Sequence, residues 1–148
     1  MKTNLPKGLI TAAEAKELNQ QFIKTRSKEL NKIIEKLDNK PNKQDSLSTW
    51  FSLEELENYI AYVKEEGTKK GIVVNGLRVY LGAYKKNVKD ASKNNYSTVF
   101  FAPTQAKKAV LQKSSSDYTE SSSDINSMDA LNMGTIGGPP PNAPYPQD

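Results

Sequence analysis

The sequence predicts an α+β fold: two N-terminal helices packed on a small, mainly antiparallel, three- to four-stranded sheet, followed by a partly disordered, acidic, Pro-rich C-terminal tail. Three observations carry this. Apolar residues recur at helical spacing as far as Gly67. β-branched and aromatic residues crowd Ile72–Leu81 and Tyr96–Ala102. From Ser114 onward, serine, aspartate and proline displace apolar residues.

The first helix starts at Thr11, which with Glu14 has the spacing of a capping box, each side chain satisfying the other's backbone N–H. Leu18, Phe22, Leu30, Ile33, Ile34 and Leu37 form its apolar stripe, so the helix should run from Ala12 to Leu37. Thr25-Arg26-Ser27 interrupts the stripe and allows a kink or a split, and Pro41 stops any continuation. After a short extended piece at Ser48–Phe51, Ser52 and Glu55 repeat the capping spacing. Leu53, Leu56, Tyr59, Ile60 and Val63 are the expected buried stripe of the second helix, with Gly67 as its C′ residue. Glu54, Glu55 and Glu57 suit the positive end of the helix dipole, and this explains them better than a paired-carboxylate site does.

In the β region, Ile72-Val73-Val74 and Leu77–Leu81 flank Asn75-Gly76. That dipeptide predicts a hairpin; a continuous strand bulged at Gly76 is the competing reading. Leu77, Val79, Leu81 and Ala83 alternate with Arg78, Tyr80, Gly82 and Tyr84, which assigns them to opposite faces. Tyr96–Ala102 reads as a central strand ended by Pro103, and Gln105–Gln112 as one or two helical turns. Residues 1–113 then form the α+β domain and 114–148 the tail. In that tail Ile125, Met128, Leu131 and Met133 fit a short helix near 125–133, and Gly137–Pro146 reads as polyproline II behind a flexible glycine pair.

Composition narrows function. Of 148 residues, 36% are hydrophobic, below the roughly 45–50% of ordinary globular chains. Cysteine and histidine are both absent, which removes disulfides, thiolate nucleophiles, Cys/His metal sites and the commonest general base. No metal or cofactor is expected. The serines lack a histidine to activate them, and the glycines around Gly137 lack the lysine and helix of a phosphate cradle. The N-terminus has no secretory apolar stretch and no segment is apolar enough to span a membrane, which predicts a soluble, cytoplasmic protein.

The net charge of +4 is segregated. Residues 1–67 balance; residues 68–113 carry ten bases against Asp90; residues 114–148 carry Asp117, Glu120, Asp124, Asp129 and Asp148 and no base. The basic block and acidic tail should attract one another. Two candidate surfaces follow. Arg78, Tyr80, Tyr84, Lys85, Lys86, Lys89 and Lys93 interleave cations with aromatics, as a protein partner or single-stranded nucleic acid would require. Packing of Tyr80 and Tyr84 beneath a helix explains the aromatics without a ligand. The second surface, Ile125, Met128, Leu131, Met133, Pro141 and Pro144, has the character of a segment that docks in a groove.

The strings Gly76–Gly82 (GLRVYLG) and Ser97–Thr104 (STVFFAPT), with the closing Gly-Gly-Pro-Pro run, resemble a group of small uncharacterised bacterial proteins. The resemblance covers roughly residues 48–104 and the last two dozen, and implies no activity. The expectation is therefore a non-enzymatic protein that binds an unknown protein partner through the basic strand region, the tail or both, the alternative being a single-stranded nucleic-acid binder. In either case the tail could compete with an anionic partner for the basic block.

Overall fold

A computed structural model describes residues 4–86, 91–106, 122–132, 135–136 and 141–147, with only the backbone at 135–136. Its helices are α1 (Ala12–Phe22), α2 (Lys28–Asp38) and α3 (Leu53–Lys70). Its strands are β1 (Thr49–Trp50), β2 (Val74–Ala83), β3 (Ser97–Ala106), β4 (Ser122–Asp124) and β5 (Thr135–Ile136). β2, β3 and β4 form an antiparallel sheet in that order, and β1 pairs with β5. The class is α+β, as the sequence predicts. The chain divides into two units: Met1–Ser48 with Tyr84–Tyr96 and Ile136–Asp148, and Thr49–Ala83 with Ser97–Thr135.

In the first unit Thr11 and Glu14 complete their capping box, with Glu14 N–H donating to Thr11 Oγ1 at 3.1 Å and Thr11 N–H to Glu14 Oε2 at 2.7 Å. The interruption at Thr25-Arg26-Ser27 is a π turn, Ile23–Ser27, between α1 and α2. Thr25 Oγ1 donates back to Gln21 O at 2.6 Å, a side-chain bond that accompanies local helix distortion. Asn39 ends α2 in the left-handed region, φ 49°. Most of the expected stripe is solvent-facing: Leu18, Ile33 and Leu37 are exposed, and Ile34 is the buried apolar side chain of this unit among the described residues.

Polar bonds hold this unit together. The Asp38 carboxylate accepts from Lys43 Nζ and Asn95 Nδ2. Lys43 also donates to Asn94 O at 3.3 Å and lies 4.5 Å from the Tyr96 ring centroid. The Lys43 hydrogen bond, outweighing the opposing effect of burial, holds the Asp38 carboxyl below the usual aspartate range.

The second unit is built the opposite way. Ser52 Oγ caps α3 by accepting Glu55 N–H at 3.0 Å. The buried stripe is Tyr59, Val63 and Gly67, with Leu56 half-buried; the expected Leu53 and Ile60 are exposed. Gly67 also departs from its expected place. α3 continues to Lys70, and Gly71, at φ 68°, is the left-handed cap. Gly67 lies inside the helix because a Cβ there would come within 2.5 Å of Ile72 O.

Asn75-Gly76 does not turn. β2 runs through it with a register shift between Val74 and Gly76, the bulged alternative, and Gly76 has no positive φ. The Asn75 carboxamide bridges three strands: Thr104 Oγ1 donates to its Oδ1 at 2.7 Å, and its Nδ2 donates to Ser122 Oγ at 3.0 Å. A side chain serving the sheet this way competes against a turn.

Pro103 does not end β3 either. Its carbonyl accepts Ile125 N–H at 2.9 Å, so the donor it lacks is on the β4 side and no β2–β3 rung is lost. Gln105 and Ala106 are strand rather than helix, and the rest of the expected 105–112 helix lies outside the described residues.

Residues 125–132 follow β4 as turns and an isolated bridge, not the expected helix. Ile125 and Met128 are buried with Tyr59 and Val63, and Ile72, Val74, Leu77, Phe101 and Leu131 pack around them. Their spacing is helical by coincidence. Phe101 and Leu131 exchange both backbone bonds at 2.9 Å, and the Tyr59 hydroxyl donates to Asp129 O at 2.7 Å, fastening the segment over α3.

Candidate protein interface

The placement of Val79 follows from the β3 ladder. Phe101 spends its N–H and C=O on Leu131, so it makes no rung with Val79, its register partner on β2. In an antiparallel pair a residue that does not face its partner aims both backbone groups to the other side. Val79 therefore points N–H and C=O at the outer edge of β2, and by alternation Leu77 and Leu81 do the same. No described strand pairs with that edge.

The side chains there are also open. Leu81 is 86% exposed and Val79 54%. α3 covers only the end of that face carrying Leu77 and Phe101. Beyond it the strand presents apolar side chains together with backbone groups that no described strand pairs. Lys85 and Lys86, following β2 in sequence, are exposed.

The opposite face of the sheet gathers Arg78 and Tyr80, as their alternation predicts, but around a residue that the candidate set omits. Asp124, on β4, accepts from Arg78 Nη1 and from the Tyr80 hydroxyl. Arg78 Nη2 also donates to Ser122 O at 3.0 Å. The Tyr80 hydrogen bond, followed by the charge of Asp124, raises the Arg78 pKa further. Tyr80 lies against Phe100, centroids 5.2 Å apart and planes 16° from parallel, rather than beneath a helix. An acid from the acidic tail thus lies on the basic strand. Only the charge asymmetry between residues 68–113 and 114–148 signalled such a contact, without naming its residue.

The remaining predicted site residues divide between the units. Tyr84 belongs to the first unit, where Lys93 Nζ lies 5.4 Å from its ring centroid. Lys89 and Met133 lie outside the described residues. Ile125 and Met128 are interior and Leu131 is half-buried, so these three side chains pack against their own chain. Pro141 and Pro144 belong to the first unit.

The Tyr59 hydroxyl, pushed up to about 12 by burial and by neighbouring Tyr62 and Asp129, donates to backbone carbonyls at Phe101 and Asp129. It is a structural donor. Among the described residues no cluster of acidic side chains is placed to hold a metal ion, and no helix is long and apolar enough to cross a membrane. Compared with known proteins, the chain matches no family model, and neither a curated protein nor a solved structure matches it.

Proposed function

We propose that the chain is a non-enzymatic interaction protein whose strand β2 binds a protein partner by strand addition. The partner supplies an extended segment alternating apolar and acidic residues. The observation that carries this reading is the open edge at Val79 and Leu81, where backbone donors and acceptors and exposed apolar side chains point outward together. Main-chain bonds would give such a complex its affinity and the alternate side chains its register. The ten bases against one acid in residues 68–113 favour acidic residues in the segment. Natural sheets usually blunt a long apolar edge, so one left open invites pairing.

Single-stranded nucleic acid fits less well. Arg78 is already paired with Asp124, and one face of the Tyr80 ring rests against Phe100. The ionisable groups with displaced pKa values, Asp38, Tyr59 and Arg78, each serve structural bonds, which favours a binding role over catalysis.

The test is titration with an alternating Asp-Val peptide, followed by amide chemical shifts and hydrogen exchange. Val79 and Leu81 should gain protection, while the amides of Tyr80 and Gly82, already turned toward β3, change little. Leu81→Pro removes a donor from the open edge without removing a β3 rung and should abolish binding; Leu81→Lys should weaken it. Binding that survives Leu81→Pro, or no saturation at about millimolar peptide, a weak affinity of roughly 4 kcal/mol, refutes the reading. Deleting the whole tail would also remove Ile125 and Met128 from the core, so Asp124→Asn is the sounder probe of charge competition. It should strengthen binding of an acidic peptide at low salt.

A further inference from the structure

Within the first unit, α1, the π turn, α2 and the extended chain at 44–48 form a groove. Its occupant is the proline-rich end of the same unit. The groove reads the occupant's backbone twice: Leu47 N–H donates to Pro141 O at 3.1 Å, and Tyr145 N–H donates to Asn19 Oδ1 at 3.0 Å. Prolines carry no N–H, so a groove for such a segment must find its donor at an intervening residue, here Tyr145. Side chains set the register. Asn142 Nδ2 donates to Gln44 Oε1, and Gln147 Nε2 donates to Ser48 Oγ at 3.2 Å.

The π turn bears on the shape of this groove. Its first and last residues, Ile23 and Ser27, line a cavity of about 220 Å³ together with Asn31, Leu47 and, from the occupant, Asn142 and Pro144. π turns insert a residue into a helix and recur at binding sites. The cavity remains with the segment in place, so the occupant does not fill the groove.

We propose that this groove is a binding site for extended, proline-containing peptides, which residues 141–147 occupy in cis and an external peptide of the same chemistry can take over. Prolines hold such a peptide extended before it docks, so little conformational entropy is lost on binding. The tethered segment competes at an effective concentration in about the millimolar range, which masks the site from weak ligands.

The test uses a labelled peptide of residues 139–147 and a chain ending at Ile136. The shortened chain should bind the peptide saturably, and the full chain should bind it more weakly by about the ratio of the tether's effective concentration to the peptide's Kd, roughly a hundredfold for about 1 mM against about 10 μM. Asn19→Ala in the shortened chain should weaken binding about two- to tenfold, the worth of one hydrogen bond. Leu81→Pro should leave binding unchanged, which separates this site from the β2 edge.

A folded shortened chain that ignores the peptide overturns the proposal, as does binding insensitive to Asn19→Ala. Should the shortened chain fail to fold, a protease site inserted between Gly137 and Gly138 is cut after folding. The released segment should then exchange with labelled peptide, and failure to exchange overturns the proposal. A concentration-dependent dimer of the full chain that disappears on shortening would identify a second copy as the occupant, and overturn it too.

Discussion

The two units solve the same problem with different physics. The second buries Tyr59, Val63, Ile125 and Met128 in one cluster drawn from α3 and the chain after β4, beside the buried hydroxyls of Thr98 and Thr104 on β3. The first buries Ile34 among the apolar side chains but also Ser27, Asp45 and Ser46, and ties Asp38 to Lys43 and Asn95. Apolar packing tolerates any pH but is sensitive to lost volume. A polar clamp tolerates small changes of volume but depends on protonation and on every partner being present. A chain with 36% hydrophobic residues has enough apolar material for one such cluster, and it is concentrated in the second unit.

This contrast can be broken at either end. Met128→Ala should have the largest effect, costing the second unit about 2–5 kcal/mol in denaturant unfolding, because it removes transfer energy and leaves a cavity. Gly67→Ala should cost the same unit about 1–3 kcal/mol, since the new methyl must displace the backbone at Ile72. Full stability in this variant would mean that the Ile72 carbonyl does not crowd this position.

Tyr59→Phe should cost about 1 kcal/mol for the lost hydroxyl bonds. It also tests pH dependence. The folded pKa of Tyr59 is raised to about 12, so its contribution is fully present below the unfolded value near 10 and is lost as pH rises toward 12. Tyrosinate absorbance should show one late-titrating residue, and Tyr59→Phe should remove it.

The smallest effect sharpens the first unit. Asp38 has a depressed pKa, so its contribution is present above the unfolded value near 3.9 and is lost as pH falls through the lower folded value. Asp38→Asn should flatten the acid limb of unfolding followed at α1 and α2, while Met128→Ala should leave that limb unchanged. An acid limb that persists in Asp38→Asn would show that some other carboxylate governs the first unit.

Legibility in the sequence followed the range of the interaction. Helix starts at Thr11 and Ser52, the interruption at Thr25-Arg26-Ser27, and the strand character of 77–81 and 97–102 all depend on neighbours a few residues away. Each appears in the structure. Gly67, Asn75-Gly76 and Pro103 carry equally strong local signals for an ending or a turn, and none obeys them. Gly67 is kept by the close backbone of Ile72, Asn75 by Thr104 and Ser122, and Pro103 by the accident of which side of β3 its missing donor faces. Val79 and Leu81 share a face with Leu77, yet only Leu77 packs against the core cluster. The alternation separated the two faces but did not single out Val79 and Leu81, while Arg78 and Tyr80, read as a candidate partner surface, are engaged by Asp124.

By itself, the sequence determined where helices begin, which stretches favour strand, where charge is segregated, and that histidine and cysteine chemistry is closed to this chain. These are properties of composition and of contacts within a turn or two. Tertiary structure alone decided that Ile125 and Met128 complete a core, that no described strand pairs with the outer edge of β2, and that the proline-rich end lies in a groove beside Asn19 and Leu47. Each joins residues far apart along the chain, and periodicity can say that a side chain is apolar or extended but not which distant surface it will meet.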